Sequence, residues 1–281
     1  DAIRLAAEAY GITFEQFCAQ LERFGHGTTV GLNALLTGSA AKTAVLTTKG
    51  FGDTLEIGRL RRQTAGMNET EFTDAYLRNQ FSPLVPRHLV VEIEERIDVS
   101  GRVVTPLNES QARAELKKLH AQGVEAVAIC TLWSTHNAAH EKRLRELTRE
   151  EIPGAFISVS HEISPAVGEY ARMSTTAANA MLGPLAGRYL SKLEATLREA
   201  GMKVPVLMMT CAGGVLPTVA LNDRPAHALF SGPAGGVMGT QAIGERMGLK
   251  NLLTTDIGGT SFDVGVVANG KPIMRSEIAL A

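Results

Sequence analysis

Short apolar runs alternate with amphipathic stretches along most of this chain. Nearly continuous apolar runs bounded by turn residues are typical of buried strands. Four such runs are predicted to be strands: Thr43–Thr48, Val124–Trp133, Ala155–Ser160 and Val206–Thr210. The stretches between them carry helix start and stop signals. The alternation predicts an α/β fold in which helices pack on mixed sheets.

Capping residues mark where the longer helices begin. Asn, Ser and Thr side chains at a helix start accept hydrogen bonds from its first free N–H groups, and glycine often follows the last turn. Four helices are predicted on this basis: residues 13–23 behind a Thr13 capping box, 108–122 behind Asn108, 137–151 behind Asn137, and 165–200 with an interruption at Gly183-Pro184. Leu89–Asp98 alternates apolar and charged residues, and Ser100-Gly101 is expected to turn it back as a hairpin.

A second predicted hairpin encloses the polar octet Asp256-Ile257-Gly258-Gly259-Thr260-Ser261-Phe262-Asp263. Gly258 and Gly259 let backbone N–H groups approach an anion, while Thr260 and Ser261 add hydroxyl donors. The two end residues, both aspartates, are placed to hold a hydrated cation. A tight turn with solvated acidic flanks is the alternative for a bare Asp-x-Gly-Gly. The full octet between two apolar runs favours phosphate binding.

A Gly/Thr-rich turn near the N-terminus has two interpretations. The segment Phe24–Leu36 is predicted to form a short strand, the turn His26-Gly27-Thr28-Thr29 and a helix closed by Gly38. A helix N-terminus rich in glycine and threonine is a natural anion or ligand site. A simple N-cap by Thr28 or Thr29 explains the same spacing equally well.

Composition excludes several functional classes. The 281 residues are 44% hydrophobic and 20% charged, which allows a sizeable core. A net charge of −1 gives no electrostatic case for nucleic acid or an anionic membrane as partner. No apolar run approaches the roughly 20 residues of a membrane span. The chain starts at Asp1 without a secretory pattern or an initial Met, so we expect its true beginning to be missing.

Cysteine and histidine positions leave further questions open. The three cysteines are far apart, so free thiols in a reducing cytosol are expected. Cys211 is a conceivable nucleophile, but a small buried thiol is the favoured interpretation. His136 and His140 have metal-ligand spacing, yet they lack a third ligand and are expected to be an exposed pair on a solvated helix. The run Arg59–Arg62 is expected to be a solvated loop rather than a grip for a carboxylate or phosphate.

Four glycine-bearing turns now stand at strand–helix junctions or hairpins: Gly25–Thr29, Gly213-Gly214, Gly232–Gly236 and Gly258-Gly259. They lie within motifs that occur in this order: His-Gly-Thr-Thr-Val-x-x-Asn-Ala-Leu-Leu, Thr-Lys-Gly-Phe-x-Asp-x-Leu-Glu-Ile-Gly-Arg, Ser-His-Glu-Ile, Ser-Thr-Thr-x-x-Asn-Ala, Ser-Gly-Pro-Ala-Gly-Gly-Val and Asp-Ile-Gly-Gly-Thr-Ser-x-Asp-Val. From about Phe14 to Lys271 the chain resembles the A-type (N-methylhydantoinase A-like) subunit of the hydantoinase/5-oxoprolinase family, within the actin-like ATPase superfamily.

The resemblance implies an actin-like ATPase (ribonuclease H-like) fold with ATP and Mg²⁺ in the cleft between two lobes. It implies an N-terminal domain over residues 1–165 and the start of the ATPase domain over 166–281. The family's first phosphate hairpin and its C-terminal adenosine-binding region are absent from this sequence. We therefore expect a fragment lacking both ends, with weak or no ATP turnover by itself. This chain also has Thr210-Cys211-Ala212 where the family often has Gln-Ser-Asn.

The resemblance also implies an activity. In this family ATP phosphorylates the carbonyl oxygen of a cyclic amide, such as hydantoin, N-methylhydantoin or 5-oxoproline, and water then opens the ring. Related members carboxylate ketones such as acetone or acetophenone, and a non-catalytic reactivating ATPase is a third hypothesis. The expected partners are the small-molecule cyclic amide or ketone and a B-type hydantoinase subunit, in a cytoplasmic oligomer. Nucleic acid and membrane are not expected partners.

Residue roles follow from the resemblance alone. The phosphates would be cradled by Gly258, Gly259, Thr260 and Ser261. Asp256 would hold Mg²⁺ through water or orient the attacking group, with Asp263 supporting the turn. The nucleotide cleft would be lined by Gly213, Gly214, Gly232, Gly235 and Gly236. The substrate side would involve His26, Thr28, Thr29 and Asn33.

Overall fold

The computed structural model describes residues 2–58, 68–74, 83–258 and 262–275. These residues form two compact units, which we describe separately. The central unit is one continuous stretch, residues 40–184. The split unit combines two stretches, residues 2–39 and 185–275. The Arg59–Arg62 run lies outside the described residues.

The secondary structure alternates through both units. The described helices are α1 (Ala2–Ala9), α2 (Phe14–Ala19), α3 (Val30–Leu36), α4 (Thr54–Ile57), α5 (Glu69–Thr73), α6 (Glu109–Ala121), α7 (Ala139–Glu151), α8 (Ser160–Ile163), α9 (Glu169–Glu199), α10 (Thr218–Leu221) and α11 (Ser231–Met247), with 3₁₀ turns at Arg87–Leu89 and Pro225–Ala228. The described strands are β1 (Phe24–His26), β2 (Thr43–Thr48), β3 (Val90–Ile93), β4 (Arg96–Ile97), β5 (Val103–Thr105), β6 (Ala126–Cys130), β7 (Phe156–Val159), β8 (Val206–Met209), β9 (Val215–Pro217), β10 (Leu252–Ile257), β11 (Phe262–Ala268) and β12 (Lys271–Pro272).

A parallel sheet of order β3-β2-β6-β7 forms the centre of the central unit. All residues of β2 and β6 are buried, because helices cover a parallel sheet on both faces. This double burial explains the nearly continuous apolar sequence of those strands. Leu116 and Leu119 of α6 and Leu144 and Leu147 of α7 complete the same core.

The split unit contains two small sheets. β1 and β8 are parallel, with His26 opposite Met208, and β9 adds to β8 in the antiparallel direction. The second sheet is the antiparallel set β10-β11-β12. One face of this sheet is exposed and apolar, since Leu253, Ile257 and Phe262 are each at least 60% exposed. The mixed strand directions and packed helices confirm the predicted α/β class.

Two of the three predicted helix caps are present, and the third is not. The Thr13 side chain and Gln16 form the predicted capping box, although α2 ends at Ala19. The Asn108 side chain accepts a hydrogen bond from the N–H of Gln111 and caps α6. The predicted Asn137 cap is wrong, because Ala138 occupies the cap position of α7. The Asn137 amide instead donates to the carbonyl of Gly101, which fastens the β4–β5 turn.

Two longer elements also differ from their predictions. Leu89–Asp98 is not one strand, since β3 and β4 are separate and belong to different sheets. The predicted break at Gly183-Pro184 is also wrong, because α9 continues through Pro184. An interior proline costs a helix about 3 kcal/mol. Buried residues on both sides of it, such as Leu182 and Leu190, anchor the helix and offset that cost.

The expectation that His140 is exposed is wrong as well. Its ring is buried, and its Nδ1 lies 2.6 Å from the Glu95 carboxylate. The neighbouring Glu141 is fully buried and accepts hydrogen bonds from the residues that follow β6 and β7. We call this group of polar residues, all buried except the half-buried His161, the carboxyl-edge network: Thr48, Glu95, Thr131, His140, Glu141, Ser160, His161 and Arg172.

Candidate functional site

The second predicted hairpin is present in the split unit. β10 and β11 pair from Leu252 opposite Val267 to Ile257 opposite Phe262, so residues 258–261 join the strands. Gly258 is exposed at the start of this connection. The predicted phosphate-binding residues Gly259, Thr260 and Ser261 lie outside the described residues.

Asp256 and Asp263 face each other at the base of this connection. Directly opposite residues carry their side chains on the same face, with Cβ atoms about 4.5–5.5 Å apart. Thr254 and Gly265 pair on that face, and a Cβ on Gly265 would touch Val237 of α11. Both carboxylates therefore project from the α11 side of the hairpin. Like charges placed opposite repel each other, and a divalent cation bound by their oxygens would relieve the repulsion.

The ends of β10 and β11 that carry Asp256 and Asp263 lie at the same end of the split unit as the N-terminus of α11. A Cβ on Gly244 would touch Leu252 at the open end of the hairpin, whereas Gly265, nearer the tip, meets Val237. The residue numbers along α11 thus decrease toward the tip of the hairpin. Ser231, at the start of the helix, therefore lies on the side of that tip. The first turn of a helix offers free N–H groups and a positive partial charge of about half a proton. Carboxylates and helix amides are therefore directed to one region.

Ser231 ties the turn after β1 to the start of α11. Its buried hydroxyl accepts a hydrogen bond from the N–H of Thr28 at 3.0 Å and donates to the carbonyl of Thr28 at 2.9 Å. A Cβ on Gly27 would come within 3.0 Å of the Ser231 carbonyl oxygen, so glycine permits this close approach. Ser231 does not cap its own helix, because the cap residue of α11 is Phe230 and the Ser231 side chain bonds across to another element. Pro233 lies in the first turn of α11.

The turn between β8 and β9 packs on the same helix. Gly213 has φ +79°, a left-handed conformation that favours glycine, and a Cβ there would lie 2.8 Å from Sδ of Met238. A Cβ on Gly235 would lie 3.8 Å from the side chain of Met209 on β8. A Cβ on Gly236, by contrast, would meet nothing within 4 Å, and Gly214 is exposed. The structure thus brings this turn to the glycine-rich start of α11, with open space at Gly236.

His26 is held by a residue that the sequence analysis did not single out. Its Nε2 lies 2.6 Å from the hydroxyl of Tyr189 on α9, and the two rings stack 5.8 Å apart. Burial lowers the pKa of the His26 imidazole, which favours the neutral ring. The pair is 163 residues apart in sequence, so no local signal pointed to Tyr189.

Thr28, Thr29 and Asn33, the other candidate substrate residues, make hydrogen bonds within α3 and the turn before it. The Thr28 hydroxyl accepts a hydrogen bond from the N–H of Val30, and the Asn33 amide lies 3.4 Å from the Thr29 hydroxyl. Thr29 is the cap residue of α3 but makes no side-chain capping bond. Gly232 packs against Thr29, since a Cβ there would lie 3.1 Å from its methyl group. These contacts shape the turn after β1 whatever it binds.

The residues at this end fit a nucleotide phosphate accompanied by Mg²⁺. Carboxylate oxygens from Asp256 and Asp263 are the donors that Mg²⁺ prefers, with water completing its coordination. Helix amides at the start of α11 suit an anion. Within the described ranges, no group of three or more His, Cys, Asp or Glu side chains is arranged to hold a metal. A cation here would therefore depend on two carboxylates together with water or phosphate oxygens.

Cys211 is exposed, so the expectation of a buried thiol is wrong. The strand β8 ends at Met209, which leaves Cys211 in the turn rather than in the core. Its N–H donates to the carbonyl of His227. Cys18 and Cys130 are buried, and all three thiols are free as predicted.

Comparison with known proteins identifies the family. Residues 2–152 match the hydantoinase/oxoprolinase N-terminal region, and residues 172–281 match hydantoinase/oxoprolinase. The chain belongs to the hydantoinase/oxoprolinase family. Both matches lie on the segments whose motifs carried the resemblance, and they confirm it.

Relatives of this hydantoinase/oxoprolinase chain include an amide-hydrolysing and a carboxylating enzyme. It is 35% identical to the caprolactamase subunit alpha of Pseudomonas jessenii, over 94% of this chain and 37% of that protein. It is 34% identical to the acetophenone carboxylase gamma subunit of Aromatoleum aromaticum, over 95% of this chain and 37% of that protein. A nucleotide-free structure of acetone carboxylase, which carries out ATP-dependent acetone carboxylation, superposes with a TM-score of 0.86 at 29% identity, over 97% of this chain and 39% of that one.

These relatives are much longer than the hydantoinase/oxoprolinase chain described here, which spans less than two fifths of each. Two of them are named as subunits, so the family includes proteins that work in multi-subunit assemblies. Within the described residues, no helix combines the length and apolar character needed to cross a membrane.

Proposed function

We propose that this chain contributes the ATP-using part of an enzyme that opens a cyclic amide of the hydantoin, N-methylhydantoin or 5-oxoproline type. The observation that carries the proposal is the pair Asp256 and Asp263 at the base of the hairpin, directed to the same end as the N-terminus of α11. The likeness to a caprolactamase subunit supports a cyclic amide as substrate class.

The proposed roles follow from position and donor chemistry. The amide groups of Gly258 and Gly259, with the hydroxyls of Thr260 and Ser261, would hold the terminal phosphates. Asp256 would bind Mg²⁺ through water, and Asp263 would support the turn and share the cation. When bound, ATP would phosphorylate the amide oxygen, which makes the carbonyl carbon electrophilic enough for water to add. The ring C–N bond would then break as the nitrogen takes a proton, and a second water would release phosphate from the resulting acyl phosphate. The chain's own contribution is positioning and charge neutralisation.

The glycines of the β8–β9 turn and of the start of α11 would form the rest of the wall of the nucleotide site. Gly236 and Gly214 lie where the surface is open, which supports direct contact with a nucleotide. Gly213, Gly232 and Gly235 already pack against neighbouring side chains. We assign these three to shaping the wall rather than touching the ligand.

His26 is the strongest of the proposed substrate-side residues. Tyr189 holds the neutral His26 ring in place through a hydrogen bond at Nε2. The ring therefore presents a fixed face to a substrate. Thr28, Thr29 and Asn33 would act mainly by holding the turn after β1 in place. A B-type subunit, an oligomeric assembly and a cytoplasmic location are parts of the same proposal, and the domain boundary between residues 165 and 166 stays a prediction.

A ketone carboxylase is the second candidate, because the likeness to an acetophenone carboxylase subunit is nearly as close as that to the lactamase subunit. Both reactions would use the same phosphate-binding end, since each needs an unreactive carbonyl or carboxylate oxygen to be activated. Product analysis separates them: ring opening adds water to a cyclic amide, whereas carboxylation places carbon from labelled bicarbonate in the product.

The test uses the full-length gene product together with its B-type partner. Phosphate release and product mass are measured with a panel of cyclic amides, and with ketones plus ¹³C-bicarbonate. Asp256→Asn should lower substrate-dependent turnover on the order of a hundredfold or more, because a neutral amide no longer attracts the cation. The matched control is Asp223→Asn, which makes the same change at another exposed aspartate of the split unit. Full turnover in Asp256→Asn, with an unchanged fold by circular dichroism, would remove the hairpin from the mechanism.

A further inference from the structure

The His26 imidazole is held by two aromatic rings and one hydrogen bond in the split unit. It stacks with the ring of Phe24 at a centroid distance of 6.3 Å and with that of Tyr189 at 5.8 Å. Both of those rings pack against the buried cluster that includes Val206 and Met208. Its Nε2 also bonds to the Tyr189 hydroxyl. The ring cannot turn over without breaking these contacts, so each of its nitrogens has a fixed environment.

The contact between Nε2 and the Tyr189 hydroxyl determines which ring nitrogen of His26 carries hydrogen. The two atoms are 2.6 Å apart, and either group could donate. A neutral imidazole nitrogen is basic enough to take up a proton at about pH 6.5, whereas a phenol O–H is an acid with a pKa of about 10. The hydroxyl is therefore the donor and Nε2 the acceptor. Among the described residues the Tyr189 hydroxyl has no other acceptor.

The hydrogen of the neutral His26 ring is then on Nδ1. Burial lowers the pKa of His26, which favours the neutral imidazole with a single N–H group. Because Nε2 accepts a hydrogen bond, Nδ1 must carry that hydrogen. Nδ1 makes no hydrogen bond within the part of the chain that the structure describes, and it is not an enclosed atom. It is therefore a donor that a ligand can use.

This donor lies at the end of the split unit where the phosphate-binding residues are proposed. His26 is the last residue of β1, and Gly27 follows it. A Cβ on Gly27 would come within 3.0 Å of the carbonyl oxygen of Ser231, the first residue of α11. Nδ1 is bonded to Cγ, so it lies on the main-chain side of the ring, close to this junction. The carboxylates of Asp256 and Asp263 are directed to the same end.

We propose that Tyr189 is a positioning residue that fixes the hydrogen of His26 on Nδ1, so that His26 serves this site as a neutral hydrogen-bond donor and not as a general base. Its ligand is the carbonyl oxygen of the substrate. That oxygen has two lone pairs, so one can accept from Nδ1–H while the other faces the phosphoryl group. The role of the donor rests on the proposed function, whereas the position of the hydrogen does not.

Nitrogen NMR of the full-length protein tests the tautomer without ATP or substrate. The histidines are labelled with ¹⁵N, and the His26 signals are identified by their loss in His26→Asn. At about pH 8, where the ring is neutral, Nδ1 should show the shift of a nitrogen that carries hydrogen, and Nε2 that of one that does not.

A matched pair of variants tests the part played by Tyr189 in the same NMR experiment. Tyr189→Phe should remove the preference for hydrogen on Nδ1, because it removes the hydroxyl that donates to Nε2. Tyr10→Phe is the control, since it makes the same change at an exposed tyrosine of the split unit, and it should leave the tautomer unchanged. Hydrogen on Nε2 in the wild-type protein, or an unchanged tautomer in Tyr189→Phe, would overturn the proposal.

Two substitutions of similar size test the donor role in turnover. His26→Asn places an amide N–H near the position of Nδ1 but cannot take up a proton, whereas His26→Leu can do neither. With the substrate found for the full-length enzyme, His26→Leu should lower turnover about a hundredfold, and His26→Asn should stay within about tenfold of the wild type. Equal losses, with the fold unchanged by circular dichroism, would show that the site does not use the N–H group. A wild-type protein that carries hydrogen on Nδ1 but turns over no cyclic amide or ketone would contradict the proposed function and not the tautomer.

Discussion

Replacing Glu141 with glutamine should destabilise the central unit severely, although it changes one oxygen to an amide nitrogen. The Glu141 carboxylate is fully buried in the carboxyl-edge network. Its Oε1 accepts hydrogen bonds from the N–H of Thr131 and the hydroxyl of Ser160, at 2.9 and 2.6 Å. Its Oε2 accepts from the N–H of His161 at 3.1 Å and lies 2.6 Å from Nδ1 of the same residue.

The magnitude follows from what a glutamine can accept. Whichever way its amide turns, the NH₂ group faces a backbone N–H, that of Thr131 or of His161, and neither can reverse its direction. One buried N–H left without an acceptor costs about 1–3 kcal/mol. Loss of the negative charge also weakens the remaining charge-assisted bonds, so we expect a loss of about 3–5 kcal/mol, typical of a broken buried pair.

Urea unfolding monitored by tryptophan fluorescence measures this loss. Trp133 is the only tryptophan in the chain, and it follows Thr131 by two residues, so it reports on the central unit. Glu146→Gln is the control on the same helix. That side chain is 57% exposed and pairs with Arg143, and an exposed pair contributes at most about 1 kcal/mol. A loss below about 1 kcal/mol in Glu141→Gln, or one equal to the control, would refute the assigned role of the network.

Further predictions concern the split unit and the thiols. Ser231→Ala should lower the free energy of unfolding by about 1–3 kcal/mol, measured by urea titration, because it leaves the half-buried N–H of Thr28 without an acceptor. Ellman's reagent should modify Cys211 rapidly in the native protein and the two buried cysteines only after unfolding; slow labelling of Cys211 would contradict its exposure. In an NMR titration His26 should show a pKa below its ordinary 6.5, so its contribution to stability is complete above pH 6.5 and declines as the pH falls below that value. Tyr189→Phe should leave this pKa low, since burial rather than the hydrogen bond causes the shift; a return to 6.5 would contradict that cause.

Signals confined to a few neighbouring residues were predictable from the sequence. The Thr13 capping box, the Asn108 cap and the hairpin around residues 256–263 each depend on contacts within about ten positions. The buried strand β2 was predictable because double burial imposes an apolar run. These features needed no knowledge of distant partners.

Features set by distant partners were not predictable. His140 is polar and sits among charged residues, so its burial depends on Glu95, which lies 45 positions away. The helix α9 passes through Pro184 because packing on both sides outweighs a local penalty. Ser231 has the sequence context of a helix cap, yet its hydroxyl bonds to Thr28, 203 positions earlier. In each case tertiary contacts overrode a correct local preference.

The tie between Thr28 and Ser231 has a consequence for the order in which the chain folds. During synthesis from the N-terminus, residues 40–184 can collapse on their own contacts, because every strand of the central sheet lies within that stretch. The first 39 residues must wait until α11 has been translated before β1 and its turn find their partners. Segments that wait for late partners expose unpaired strand edges, which makes them vulnerable to aggregation and to chaperone capture. We therefore expect slow maturation of the newly made polypeptide to be governed by residues 2–39, which are made before the strands and helix that they pair with.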